Sequence, residues 1–228
     1  EAIIRNGRIA VFATSFRDDV TSAGGAESEG VRLLTELVEQ SGGRIEVEYR
    51  CDRDPTTPPS PEELRDVHAV IADLERYDAS LLADVGPRGG GSLGLIARYG
   101  VGYDAVDLEA ATKAGILVTN TPGANTVPTA EWAVATLLDV AGRRLPHHGR
   151  ASAGLPKHGP SRLDVSGKTL GVIGTGAIGR TVVRLLSGFD MRVIAYDPYP
   201  QSDWARTANA TYVGLEELCA EADFITIH

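Results

Sequence analysis

The stretch from Lys168 to Asp197 constrains this chain more than any other. Lys168-Thr169-Leu170-Gly171-Val172-Ile173 reads as a strand and runs without a break into Gly174-Thr175-Gly176-Ala177-Ile178-Gly179. Ile178, Val182, Leu185, Leu186 and Phe189 then share one helical face, Met191 to Tyr196 reads as a second strand, and Asp197 follows it. A G-x-G-x-x-G pattern alone says little, but between a strand and a helix, with an acidic residue closing the next strand, it is specific. Gly174 permits the tight turn, Gly176 lets a pyrophosphate approach the backbone, and Gly179 lets helix and strand pack closely. The free N–H groups of the first helical turn, at Ala177 and Ile178, present partial positive charge to that pyrophosphate. Asp197 is placed to accept hydrogen bonds from the 2′- and 3′-hydroxyls of an adenosine ribose, where a 2′-phosphate would meet a like charge. With Pro198-Tyr199-Pro200 next and no arginine before Arg206, the residues favour NAD over NADP.

The rest of the chain alternates in the same way. Ile9 to Ala13 reads as a buried parallel strand, and Val31, Leu34, Leu37 and Val38 as one face of a helix stopped by Gly42-Gly43. Ile45 to Tyr49 alternates apolar and polar, as a strand at a sheet edge does. Ser60-Pro61-Glu62-Glu63 forms a capping box, and Asp78 and Asp107 are further N-caps. Strands are expected at 67–72, 93–97 and 116–118, with a flexible glycine turn at 86–91. Four β/α alternations in residues 1–120 argue an open parallel sheet. Thr126 to Ala141 has almost no polar face, so a helix buried nearly all round, between domains or subunits, is expected. Arg143 to Arg162, rich in Gly and Pro, reads as a long irregular connection, and His147-His148 within it as solvent-facing histidines rather than metal ligands. A helix at 216–222 and a strand at 224–227 are read as completing βαβαβ, one mononucleotide-binding half.

Composition removes other classes. The chain has 228 residues, 22 Lys plus Arg against 31 Asp plus Glu, and a net charge of −9, with no basic stripe, so no nucleic-acid partner is expected. No apolar stretch is long enough to span a bilayer, so no membrane partner is expected either. Cys51 and Cys219 have no paired spacing, which suits a reducing, cytoplasmic setting. The chain opens on Glu1, has its one methionine at Met191 and stops inside the apolar run ending at His228, as a segment cut from a longer chain would.

Tyr99-Gly100-Val101-Gly102-Tyr103-Asp104-Ala105-Val106-Asp107, then Asn120-Thr121-Pro122-Gly123, Val127-Pro128-Thr129-Ala130-Glu131 and the Gly174 to Asp197 unit occur in an order that resembles the NAD-dependent D-isomer-specific 2-hydroxyacid dehydrogenases, phosphoglycerate dehydrogenase-like. The resemblance implies a flavodoxin-like substrate domain, residues 1–122 here. It also implies an incomplete Rossmann domain, residues 123–228, opening with an interdomain helix at 126–141, and an active-site cleft at the junction. It implies that the amides around Val101 and Gly102 hold the substrate's acid group, that Thr129 lies beside the nicotinamide, and that His228 ends the third Rossmann strand near the adenosine. Arg76 reads as an exposed arginine first and a substrate contact second. The substrate would be a small 2-hydroxy or 2-keto acid, and the assembly a homodimer paired through the 126–141 helix. The family's catalytic Arg, Glu and His fall in motifs after the stretch matched here, and His68, His147, His148, His158 and His228 align with none of them. No catalytic residue is therefore assigned, and this segment is expected to be inactive by itself. An alternative from the same superfamily is an NAD-sensing, corepressor-like binding protein without turnover.

Overall fold

The computed structural model describes residues 7–14, 29–155, 159 and 161–228; His158, Pro156 and Pro160 lie outside the described residues. The chain forms two compact units, Glu1–Ala124 and Asn125–His228.

The first unit contains five parallel strands: β1 (Gly7–Val11), β2 (Ile45–Tyr49), β3 (Ala69–Ala72), β4 (Leu95–Arg98) and β5 (Leu117–Thr119). Their order is β2-β1-β3-β4-β5, the flavodoxin-like arrangement, with β2 at the edge and its Glu46 and Glu48 exposed. Helices α1 (Glu29–Ser41), α2 (Pro61–Leu64), α3 (Ala79–Val85) and α4 (Leu108–Ala114) connect them. The local signals act as their chemistry demands. The Ser60 hydroxyl accepts from Glu63 N while the Glu63 carboxylate accepts from Ser60 N, and Asp78 and Asp107 accept from Leu81 N and Ala110 N. Phe12, just after β1, and the strand residues Val70 and Ile96 pack with Leu64 and Leu82 on one face, all fully buried. On the other face, Val11 and Ala13 meet Val31 and Leu34 of α1. The segment 86–91 folds onto α3 rather than looping freely: Gly89 N and Gly91 N both donate to Gly86 O, and Leu93 N donates to Val85 O.

The second unit holds α5 (Thr126–Gly142), α6 (Arg144–Ser152), β6 (Thr169–Ile173), α7 (Ala177–Leu185), β7 (Arg192–Tyr196), α8 (Ser202–Thr207), β8 (Ala210–Tyr212), α9 (Leu215–Glu221) and β9 (Phe224–Ile227). All four strands are parallel, in the order β8-β7-β6-β9. Numbered within the unit this is 3-2-1-4, the start of a Rossmann sheet. One expectation is corrected here. The three-residue strand β8 and six-residue helix α8 are too short to show periodicity, so Phe224–Ile227 is the fourth strand and not the third. It pairs with β6 on the side opposite β7, which places the reversal of strand order, where open α/β sheets bind ligands, between β6 and β9.

Leu170 and Val172 of β6 face α5 and α7 in one core. Gly171, between them, turns to the other face, where a Cβ would stand 2.7 Å from Leu218 Cδ2 of α9. Within the single chain, helix α5 buries one side. Ala130, Leu137 and Ala141 form a single buried stripe, while Trp132, Val127 and Val140 are 75%, 48% and 59% exposed. An apolar composition shows that a helix can be buried on every side, and the neighbours present decide how many sides are. Residues 144–152, expected to be irregular, are helical. Pro146 sits in the first turn, where its missing N–H removes no helical hydrogen bond.

Candidate functional site

The glycine turn between β6 and α7 has the geometry its residue types require. Gly174 has φ +89°, and a Cβ there would overlap the His228 carbonyl oxygen. A Cβ on Gly179 would overlap the Gly174 carbonyl. Gly176 differs: its backbone is extended, and nothing lies within 4 Å of where a Cβ would stand. It is the N-cap of α7 and supplies no side-chain acceptor for the first-turn N–H groups of Ala177, Ile178 and Gly179. Such an arrangement holds an anion.

A carboxylate network fixes the side of this turn. Asp197 Oδ2 accepts from Thr175 N at 2.7 Å and from Thr175 Oγ1 at 2.9 Å, and Oδ1 accepts from Tyr199 N at 2.8 Å. These bonds, the Thr175 amide first, hold the Asp197 pKa below the ordinary carboxylate value, so it is ionised. Because the Thr175 hydroxyl donates to Asp197, it accepts from Tyr212 OH at 2.7 Å, and Tyr212 OH in turn accepts from Gln201 N. Three of the four lone-pair positions on Asp197 are thereby used, which leaves one, on Oδ1, for an outside hydroxyl rather than two. Sequence reading missed Thr175, 1% exposed, and Tyr212, because the first is a variable position of the motif and the second lies on the unrecognised β8.

In the first unit the loops after β3 and β4 are tied together. Tyr77 N donates to Ala105 O, and Asp107 N donates to Tyr77 O. Beneath them Glu75, 1% exposed, accepts from Asp73 N and from Tyr77 OH, each at 2.9 Å. Burial raises the pKa of Glu75, with the Asp73 charge a smaller contribution in the same direction, and burial also raises the Tyr77 phenol. Asp73 Oδ2 accepts from Thr14 N and Oγ1, joining the ends of β1 and β3. In the β4 loop, Gly100 O accepts from Thr121 N and Val101 O from Asn120 Nδ2. Among the described residues neither Val101 N–H nor Gly102 N–H has an acceptor. Arg98, at the end of β4, is 9% exposed and makes no ion pair among the described residues. It is a third residue that pattern reading passed over, because a strand-end arginine looks like surface.

The other sequence-predicted residues are dispersed. Arg76 is exposed and unpaired among the described residues. Thr129 is half-buried in the first turn of α5; its N–H donates to Asn125 O, and its hydroxyl has no partner among the described residues. His228 follows β9, the fourth strand, where its N–H donates to Ile173 O and its Nε2 lies 2.7 Å from Thr226 Oγ1. A groove of about 720 Å³ beside α7 and α8, floored by Leu170, Val183 and Val193, includes none of these residues. No group of three His, Cys, Asp or Glu that could hold a metal occurs among the described residues, and no helix among them is long and apolar enough to cross a membrane.

The chain is 35% identical over 210 residues to a glyoxylate reductase of Korarchaeum cryptofilum, covering 87% of this chain and 61% of that protein. It is 36% identical over 204 residues to a D-3-phosphoglycerate dehydrogenase of Mycobacterium bovis, covering 86% and 36%. The D-lactate dehydrogenase structure from Escherichia coli superposes with a TM-score of 0.73 at 26% identity, over 97% of this chain and 64% of that one. The chain thus spans about three fifths of the length of the first of these relatives. Residues 134–228 match the D-isomer specific 2-hydroxyacid dehydrogenase, NAD binding domain. With the β6/β9 reversal, the open Gly176 and the ionised Asp197 in place, the cofactor is NAD, and residues 134–228 belong to the NAD-binding domain family of the D-isomer-specific 2-hydroxyacid dehydrogenases.

Proposed function

We propose that the full-length protein interconverts a small 2-keto acid and a D-2-hydroxy acid at the expense of NADH or NAD. The observation that carries this reading is the pairing of two anion-ready backbone sites on two α/β units. One is the first turn of α7 behind Gly176, which has no side-chain cap, and the other is the pair of amides at Val101 and Gly102, which have no acceptor among the described residues. NAD supplies or takes the hydride when bound. Gly174, Gly176 and Gly179 shape the turn, the N–H groups of Ala177 and Ile178 hold the pyrophosphate, and the free Oδ1 position of Asp197 takes a ribose hydroxyl. Thr129 lies beside the nicotinamide and His228 near the adenosine. The Val101 and Gly102 amides bind the substrate carboxylate, with Arg76 as a further cation on the neighbouring loop. In this reading residues 1–122 are the substrate domain and 123–228 the NAD domain, and the segment ending at His228 does not turn over alone.

The test is NADH oxidation by the full-length protein with glyoxylate, pyruvate, hydroxypyruvate and phosphohydroxypyruvate, the kind of substrate the relatives' names point to. Turnover with at least one is expected. NADH binding without any turnover would overturn the enzyme reading and favour an NAD-sensing, corepressor-like protein.

The exposed apolar residues Val127, Trp132 and Val140 of α5, with Leu145 of α6, support a homodimer that covers them. Sedimentation of the full-length protein is expected to give a dimer, and Trp132→Glu a monomer. A wild-type monomer would contradict the proposal. Cys51 and Cys219 are both free thiols, in keeping with a reducing, cytoplasmic location.

A further inference from the structure

We propose that Arg98 is a positioning residue that sets the sign of charge at the Gly100–Gly102 loop and so makes it a seat for a single carboxylate. This rests on the reading above that the loop receives the substrate's acid group.

Three observations meet at this loop. The first is an uncompensated cation. Arg98 is nine-tenths buried, yet no carboxylate of the described residues lies within ion-pair distance, and its Nη1 donates to the carbonyl of its own neighbour Tyr99. A buried guanidinium without an anion is costly to retain, and a ligand anion would offset that cost. The second is its position. Gly100 has φ +141°, and a Cβ there would stand 2.9 Å from Arg98 Nη1, 3.2 Å from Cζ and 3.3 Å from Nη2, so the guanidinium lies directly against the loop backbone. The third is the loop's own polarity. The Gly100 and Val101 carbonyls are drawn away to Thr121 N and Asn120 Nδ2, while the Val101 and Gly102 N–H groups have no acceptor among the described residues.

The nearest opposing charge on the loop is Asp104, whose Oδ2 is 3.6 Å from where a Gly102 Cβ would stand. Without Arg98 the loop would carry free amides beside a net negative charge and would repel an acid. With Arg98 behind it, the amides and the cation act together on one carboxylate. The cation is held by the end of β4 rather than by a mobile side chain on the surface, so it is in place before the ligand arrives. Gly100 is required on two counts, its positive φ and the guanidinium beneath it.

The experiment uses the full-length protein with Arg98→Met and Arg98→Lys. Two quantities are read: the KM and kcat for the best 2-keto acid, and the affinity of the NADH complex for oxamate, followed by NADH fluorescence. Arg98→Met is expected to raise KM and to weaken oxamate binding about 10- to 100-fold, the size of one charge interaction near a protein surface. The fall in kcat should be much smaller, NADH affinity unaltered, and Arg98→Lys should recover part of the loss. Unchanged KM and oxamate affinity in a folded Arg98→Met would overturn the proposal. So would a Lys variant no better than Met when both melt at the same temperature, since packing and not charge would then be at stake. Oxamate binding needs no turnover: wild-type protein that binds oxamate but reduces nothing would defeat the enzyme reading and leave this inference testable.

Discussion

Alanine at Gly174 is expected to abolish both NADH binding and cooperative unfolding of the second unit, whereas alanine at Gly176 is expected to abolish only the first. At Gly174 the backbone has φ +89°, a conformation that costs a residue with a Cβ about 1–3 kcal/mol. The added carbon would also overlap the His228 carbonyl. Relief requires β6 and β9 to separate at the point where His228 N donates to Ile173 O, so the total loss should exceed about 4 kcal/mol, in the range reserved for severe core damage. At Gly176 the backbone is extended and the space is empty, so Gly176→Ala should melt like the wild type. Its methyl would occupy the volume through which a pyrophosphate reaches the α7 amides. Thermal unfolding and NADH fluorescence titration of the two variants separate the effects. A Gly174→Ala protein that melts normally, or a Gly176→Ala protein that binds NADH as the wild type does, would refute the assignment.

Asp197→Ala is expected to weaken NADH binding by a factor of ten or more and to narrow the gap between NADH and NADPH. The charge that would repel a 2′-phosphate disappears, so NADPH loses less or gains. The side chain also anchors the turn, because Thr175 N and Oγ1 both depend on it and Thr175 is buried. Asp197→Asn, with its amide oxygen in the Oδ2 position, keeps an acceptor for both Thr175 donors but sets its Nδ2 against the Tyr199 N–H, and should fall between wild type and Ala in thermal stability. Titration of each variant with both cofactors is the check; an unchanged NADH to NADPH affinity ratio in Asp197→Ala would remove Asp197 from cofactor discrimination.

Much of the architecture was legible because it is encoded locally. Capping residues Ser60, Asp78 and Asp107 announce helices through bonds to amides three positions away. The Gly174–Gly179 turn announces its strand and helix through the backbone shapes that only glycine takes. Elements without such markers were misplaced. Helix α6 was hidden by Pro146 and Gly149, residues that a first turn and an exposed helix tolerate. Strand β8 holds three residues, and without it Phe224–Ile227 counts as the third strand of its sheet instead of the fourth.

By itself, then, the sequence determined that the chain is built of parallel α/β units and that one of them carries a dinucleotide turn with an acidic partner. These are properties of neighbours along the chain. Only the tertiary structure decided which strand borders β6, that α5 buries one stripe and exposes Trp132, that Asp197 is already engaged by Thr175, and that Arg98 is buried without a counter-ion among the described residues. Each depends on pairing or burial between residues distant in sequence. A carboxylate's remaining lone pair, or an arginine without a partner among the described residues, becomes visible only when side chains distant in sequence have been brought together.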